Sequence, residues 1–342
     1  MNTTKSKGVY DSFSNFDFTM MHVSVLVPET AVPQAIVDPR YMFTAVNGFL
    51  SGAGREPFFD VKLVGLTREV KLNDGTITVN TDALISEVSH TDLIIVPAVS
   101  GDIDEALQKN EAFIPWIIAQ YNAGAEVASL CIGAFLLAAT GLLSGKTCST
   151  HWLHAPLFRE MFPDVQLVDE KIITENGRLY SSGGANSYWN LLLHLVEKYT
   201  NREMAILASK YFVIETMRNN QSPFIIFRSQ KGHKDDTIRR AQEYIEQHYM
   251  ERITVEHLAD VLATGRRSLE RRFKAATTNT VTEYIQRVKI EAAKKSFETK
   301  RDNINEVMYS VGYTDPKAFR SVFRRVTGLS PVEYRNKYLR SA

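Results

Sequence analysis

Apolar positions in the first two-thirds of the chain come in short runs separated by helical periodicities. Residues 22–27, 61–66, 92–97 and 126–130 read as strands. The run at 61–66 alternates with period two, whereas the other three are apolar on both faces, as strands buried between layers require. Helical patterns cover 40–50, 102–121 and 132–143, and 178–184 reads as a strand ending in a glycine turn before a helix over 186–198. Strands alternating with helices predict an α/β domain with a mostly parallel sheet. A helical pattern over 202–218 is broken at 219–223, and 230–236 is polar and contains a glycine. The expected organisation is an α/β domain at 18–218, a linker at 219–235 and an all-α domain at 236–340.

The last third carries one pattern twice. Thr254 is placed to cap a helix with Val255, Leu258, Ala259 and Leu262 on one face; Gly265 breaks it, and Leu269 and Phe273 mark a second helix. Asn303 and Glu306 form a capping-box start to a helix bearing Ile304, Val307, Met308 and Val311; Gly312 ends it, and Phe319, Val322 and Phe323 lie on the next. Short helix, glycine turn and second helix is a helix-turn-helix unit, present twice. Between the units, Thr280 and Glu283 make a capping box opening a helix to about Thr299, with Val281, Tyr284, Ile285, Val288 and Ala292 as its buried stripe. Such a helix spans roughly 28 Å, close to the ~34 Å of one DNA turn. Ser330 and Glu333 frame a last helix start, with Pro331 at its first position.

The second helix of each unit is expected in the major groove. Arg266, Arg267, Glu270 and Arg271 in the first, and Lys317, Arg320, Ser321 and Arg324 in the second, fall between or beside the apolar anchors. Guanidinium groups read guanine edges bidentately, while lysines and flanking arginines hold phosphates. Charge agrees with this division. Residues 233–342 carry 22 Lys+Arg against 15 Asp+Glu, a net of +7, and the remainder carries 18 against 24, a net of −6. A basic module joined to an acidic one fits double-stranded DNA as the partner of the basic end.

Two cysteines, Cys131 and Cys148, make no disulfide framework, which fits a reducing, cytoplasmic compartment. The polar start predicts no signal peptide. The longest apolar passage, 127–143, contains Ser129, Gly133, Thr140 and Gly141 and falls short of a membrane span. Eight scattered histidines and the lack of a Cys-x-x-Cys motif predict no metal site, and no cofactor is expected.

Cys131 follows a predicted strand and precedes a predicted helix, so it projects at the carboxyl edge of the sheet, where open α/β folds bind ligands. A nearby helix N-terminus favours thiolate, and Gly133 permits a tight turn. The expected lining of this site is Cys131, Ile132, His151, Asn186, Ser187 and Asn190, all at the ends of successive strand-like segments.

Residues 236–339 resemble the AraC family, through Leu258-Ala259, Leu269-Glu-Arg-Arg-Phe273, Val311-Gly-Tyr313, Phe319-Arg-Ser-Val-Phe323, Thr327-Gly-Leu-Ser-Pro331 and Tyr334-Arg335. The resemblance implies a two-part helical DNA reader that contacts RNA polymerase and activates transcription. Thr278-Asn279 departs from it, since the family commonly has a glycine after the first recognition helix. Residues 21–224 resemble the GlxA-type branch of that family, whose N-terminal domain is PfpI-like and related to class I glutamine amidotransferases. The match runs from Cys131-Ile-Gly-Ala-Phe through Gly145-Lys146, Thr150-His-Trp152, Phe162-Pro163, Ser181-Ser-Gly-Gly184 and His194-Leu-Val196. It implies a flavodoxin-like fold, a homodimer, Cys131 at a nucleophile elbow with His151 near it, and small nitrogenous metabolites such as amino acids and betaines as effectors.

The catalytic parts implied by that superfamily are incomplete. Ile132 stands where enzyme members place histidine or threonine, the acidic partner expected near Gln34 or Ala35 is missing, and Asn190 replaces a common aspartate. The expectation is a non-enzyme whose former active-site cleft binds an effector. Two alternatives stay open: a cysteine hydrolase or hydratase with a DNA-binding tail, His151 serving as base, and a thiol switch at Cys131, with or without Cys148.

Overall fold

The computed structural model describes residues 20–215, 220–300 and 302–339. The chain divides into two compact units between Gln221 and Ser222, inside the span expected to be a linker. The polar tail and the end of the 202–218 helical pattern lie outside the described residues.

The first unit contains strands β1 (Met21–Val27), β2 (Phe59–Gly65), β3 (Glu69–Leu72), β4 (Ile77–Asn80), β5 (Ala83–Leu84), β6 (Leu93–Val96), β7 (Glu126–Leu130), β8 (Thr147–Cys148), β9 (Gln166–Leu167), β10 (Ile173–Asn176) and β11 (Leu179–Ser182). Its helices are α1 (Pro33–Gly52), α2 (Ile103–Lys109), α3 (Phe113–Asn122), α4 (Ala134–Ala139), α5 (Ala155–Met161), α6 (Tyr188–Tyr199) and α7 (Arg202–Tyr211). Seven strands form the main sheet in the order β10-β11-β7-β6-β1-β2-β5, with every pairing parallel except β10 with β11. This is the flavodoxin-like α/β sandwich. Val23, Val25 and Val27 of β1 join α1, α6 and α7 in one buried cluster. Leu26, Ile94 and Val96 join α2, α3, α4 and α5 in the other, so both faces of the sheet are covered.

Three features differ from the sequence expectation. The helix expected over 102–121 is two helices, because Asn110 sits fully buried at the break. Its amide takes Ala106 O (2.8 Å) and Thr30 Oγ1 (3.1 Å) and accepts the Glu29 N–H (3.0 Å), competing with the backbone for the helix end. The β3–β4 hairpin turns at Asn73, Asp74 and Gly75, all at positive φ, a signal of turn chemistry that lay open in the sequence. Helix α1 starts at Pro33 and runs through Pro39, seven residues before the expected start at Arg40.

The second unit is helical: α8 (Asp236–His248), α9 (Val255–Val261), α10 (Arg266–Thr277), α11 (Val281–Thr299), α12 (Ile304–Ser310), α13 (Pro316–Thr327) and α14 (Pro331–Tyr338). The expected caps form. Thr254 Oγ1 accepts the His257 N–H (3.1 Å), and Thr280–Glu283, Asn303–Glu306 and Ser330–Glu333 close reciprocal capping boxes. One detail changes: α9 ends at Val261, the chain turns at Ala263 in the left-handed conformation (φ 48°), and Gly265 is instead the N-cap of α10. The repeat is faithful in atomic detail. Thr277 Oγ1 donates to Phe273 O and Thr327 Oγ1 to Phe323 O, each at 2.8 Å, while Tyr284 and Tyr334 each donate a phenol to a glutamate, Glu246 and Glu298.

Each helix-turn-helix has its own core, and α11 serves both. Val281, Tyr284 and Ile285 join the first; Ile290, Ala293 and Phe297 join the second. The buried stripe therefore changes phase along the helix, and Val288 and Ala292 of the expected stripe are only partly buried. Lys289 and Lys294 are buried in their place.

Candidate nucleic-acid interface and ligand site

Helices α10 and α13 are the second helices of the two units. Leu269, Phe273 and Thr277 anchor α10, and Phe319, Phe323 and Thr327 anchor α13. The polar positions between these anchors face solvent but are not equivalent. Arg266 is tied to Glu256 and to Glu270 (3.3 Å), so its charge is already answered. Arg267 and Arg271 are exposed and have no ion-pair partner among the described residues. Lys317, Arg320, Ser321 and Arg324 are exposed likewise, with no side-chain ion pair among the described residues. Arg272, one position from Arg271, is instead structural: its guanidinium holds Asp235 (2.5 and 2.8 Å) and keeps that carboxyl below its ordinary range. Among the described residues, the candidate surface thus offers two guanidinium groups without ion pairs on α10, and two with a lysine on α13.

In the α/β unit the carboxyl edge of the sheet gathers most of the expected lining. Cys131 follows β7 at φ 54°, a strained left-handed position for a non-glycine residue. A 3-10 turn (Cys131–Gly133) leads from it into α4. Gly133 is required there, since a β-carbon would overlap the carbonyl oxygens of Val96 and Pro97. The nucleophile-elbow geometry is therefore present. Its thiol is 3 % exposed, and burial pushes it up to about 12, outweighing the turn's backbone hydrogen bond. This corrects the thiolate expectation: the following helical turn is short, and desolvation of the charged form dominates. Cys148, also pushed up to about 12 by burial, belongs to the hydrophobic cluster on the opposite face of the sheet.

His151 begins the turn after β8, and its Nδ1 accepts the Leu153 N–H (3.1 Å). Burial and neighbouring His154 lower its pKa. No hydrogen bond joins it to Cys131 among the described residues; the link is made by its neighbour, since Thr150 Oγ1 donates to Cys131 O (3.0 Å). The Cys131 N–H in turn donates to Ser182 Oγ (3.3 Å) at the end of β11. Ile132 is half-buried. Ser187 is buried behind the Gly183-Gly184 turn, Asn190 is half-buried on the first turn of α6, and Asn186 is exposed.

Three residues at this edge escaped the sequence reading. The acidic group sought near Gln34 or Ala35 lies one helical turn on, at Asp38, whose carboxylate accepts the Tyr188 phenol (2.6 Å). Tyr188 shares the buried cluster of Cys131, and burial and Asp38 raise its pKa, with Cys131 adding to the effect. Counting i+4 from Gln34 would have found the carboxylate. Gln221, the last residue of this unit, is 2 % exposed. Its Nε2 donates to Thr150 O (2.9 Å) and Lys171 O (3.3 Å), and its buried Oε1 has no partner among the described residues. Gly183 is glycine because a β-carbon would overlap that amide.

A helix-turn-helix domain family matches residues 258–337, and the DJ-1/PfpI family matches residues 50–198. The HTH-type transcriptional regulator GbdR of Pseudomonas aeruginosa is 25% identical over 269 residues, covering 78% of this chain and 72% of that protein. The HTH-type transcriptional regulator ArgR of the same organism is 27% identical over 217 residues, covering 63% and 66%. The crystal structure of a THiJ/PfpI family protein from Pseudomonas syringae shares the fold, with a TM-score of 0.51 at 17% identity over 76% of this chain and 97% of that one.

Proposed function

We infer that this chain, an AraC-type helix-turn-helix transcription regulator carrying a DJ-1/PfpI domain, is a sequence-specific DNA-binding protein controlled by a small molecule. The observation that carries the reading is the matched pair of second helices on one connector, each with exposed arginines between buried anchors and without ion pairs among the described residues. Arg267, Arg271, Arg320 and Arg324 are the base readers or their phosphate-binding neighbours, Lys317 and Ser321 contact the backbone, and Arg266 with Glu270 stiffens the start of α10. The chain acts as a homodimer in the cytoplasm and activates transcription by contacting RNA polymerase. No described helix is long and apolar enough to cross a membrane.

The α/β unit binds its ligand and does not turn it over. A thiol held at about 12 and a histidine whose Nδ1 is occupied lack the activated nucleophile and base that cysteine catalysis needs. The effector, a small nitrogenous metabolite, sits at the edge formed by Cys131, Ile132, His151, Asn186, Ser187 and Asn190. Gln221, bonded to Thr150 at that edge, is the last residue of the α/β unit. Selection of duplexes from random DNA by the full-length protein tests the regulator reading: a recurring two-part sequence is expected, and no enrichment at physiological salt would sink it. Thermal shifts with amino acids and betaines test the pocket. A ligand that stabilises the wild type but not Ile132→Trp supports it, and equal stabilisation of both places the ligand elsewhere.

A further inference from the structure

Lys289 lies in the middle of α11, 7 % exposed, with no carboxylate partner among the described residues. Its ammonium donates to three carbonyl oxygens: Glu251 (3.1 Å), Val311 (3.1 Å) and Gly312 (3.3 Å). Glu251 belongs to the loop joining α8 and α9, in the first helix-turn-helix half. Val311 and Gly312 close the C-terminal end of α12, in the second half. Carbonyls at a helix C-terminus lack backbone partners and carry partial negative charge, so a cation there is favourable. One ammonium thus answers both halves at once.

The surroundings place this tie where the two halves meet in backbone contact. Gly312 sits at φ 75°, and a β-carbon there would overlap the Met250 carbonyl, so loop and turn are in direct backbone contact. The Tyr313 ring lies 5.5 Å from the ammonium. Beside it runs a cavity of about 360 Å3, lined from the first half by Thr254 and Val255, from α11 by Thr282 and Gln286, and by Tyr313. Burial lowers the pKa of Lys289, so placing an ammonium among these carbonyls carries a cost in desolvation. A lysine spent in this way at a junction of two cores does more than cover surface.

We propose that Lys289 is a positioning residue for DNA recognition: it fixes the spacing and phase of the two recognition helices by tying the α8–α9 loop to the end of α12. The proposal rests on the reading that α10 and α13 both enter DNA. The test uses the full-length protein, a duplex that the wild type selects from random DNA, and versions with one base pair inserted or removed between its two parts. The wild type should prefer the selected spacing on the order of 100-fold, as losing the base contacts of one helix implies. Lys289→Met should reduce that preference to under ~10-fold, chiefly by losing affinity at the selected spacing, and Lys289→Arg should restore it. A folded Lys289→Met protein with the wild-type preference would overturn the proposal, since a purely stabilising lysine lowers the melting temperature without touching the ratio. Should that variant not fold, Lys289→Gln, neutral but still a donor, carries the same comparison. A wild type indifferent to spacing would overturn the two-helix reading as well, which separates the two failures.

Discussion

The turn after each recognition helix offers a reciprocal stability test. Thr278 closes α10 at φ 59°, while Gly328 closes α13 at φ 74°. Both N–H groups bond back one turn, to Lys274 O (2.9 Å) and Arg324 O (2.8 Å). The left-handed conformation costs a residue with a β-carbon roughly 1–2 kcal/mol, and a β-branched side chain falls at the upper end. Replacing Thr278 by glycine relieves that strain, but glycine returns roughly 0.5–1 kcal/mol in unfolded-state entropy. The Thr278 Oγ1 bond to Thr277 O (2.6 Å) is lost at an exposed site, where water replaces it. Thr278→Gly should therefore stabilise the DNA-binding unit by about 0.5–1 kcal/mol, and Gly328→Thr should destabilise it by about 1–2 kcal/mol. The three tryptophans, Trp116, Trp152 and Trp189, all lie in the α/β unit, so their emission follows that unit while far-ultraviolet circular dichroism follows both. In urea, Thr278→Gly should raise the helical transition by roughly 0.5 M and leave the tryptophan transition in place. A lower helical midpoint, or equal movement of both, would refute the argument from backbone strain.

Further predictions follow from the elbow and from the two thiols. Gly133→Ala, which drives a β-carbon into two backbone carbonyls, should cost the α/β unit about 3 kcal/mol or more, read as a fall in the tryptophan-detected melting temperature; a loss under ~0.5 kcal/mol would contradict the packing. Both cysteines are held near 12 against an ordinary value of 9.0, so native Cys131 should alkylate at pH 8 on the order of 1,000-fold more slowly than in urea. Folding keeps the thiols protonated while the unfolded chain ionises them. Their contribution to stability is thus complete below about pH 9 and is lost as the pH climbs from there toward 12. A Cys131→Ala, Cys148→Ala protein should show a flatter fall over that window, and an unchanged slope would deny the linkage.

Much of this protein was legible because its local chemistry agrees with its fold. The strands buried on both faces, the three capping boxes and the repeat of anchors from Leu269 to Phe319 are all written in residue type and spacing. What escaped has a physical reason in each case. Lys289 and Lys294 were left out of the expected stripe, since a charged residue in a helical period is ordinarily exposed, and two cores meeting on one helix bury them. Asn110 fell inside one expected helix, yet its partners Glu29 and Thr30 lie about eighty residues away in sequence. Asp38 was missed by looking at one position where a helix offers a whole face. Gln221 sat in a segment with loop-like composition, and nothing local announces that its amide closes onto Thr150. The thiol of Cys131 was misread because the helix-terminus argument is local, whereas desolvation depends on the layers packed above it.

The account stands most directly on the claim that α10 and α13 read separate parts of one DNA site. Affinities of the wild type, Arg267→Ala and Arg320→Ala for every single-base variant of the selected duplex would measure it. Each substitution should flatten the preference at its own cluster of positions, the clusters lying about 10 base pairs apart, with a loss of about 1–3 kcal/mol. If both variants instead weaken all duplexes equally, the arginines bind only phosphates and the two helices do not read sequence through them.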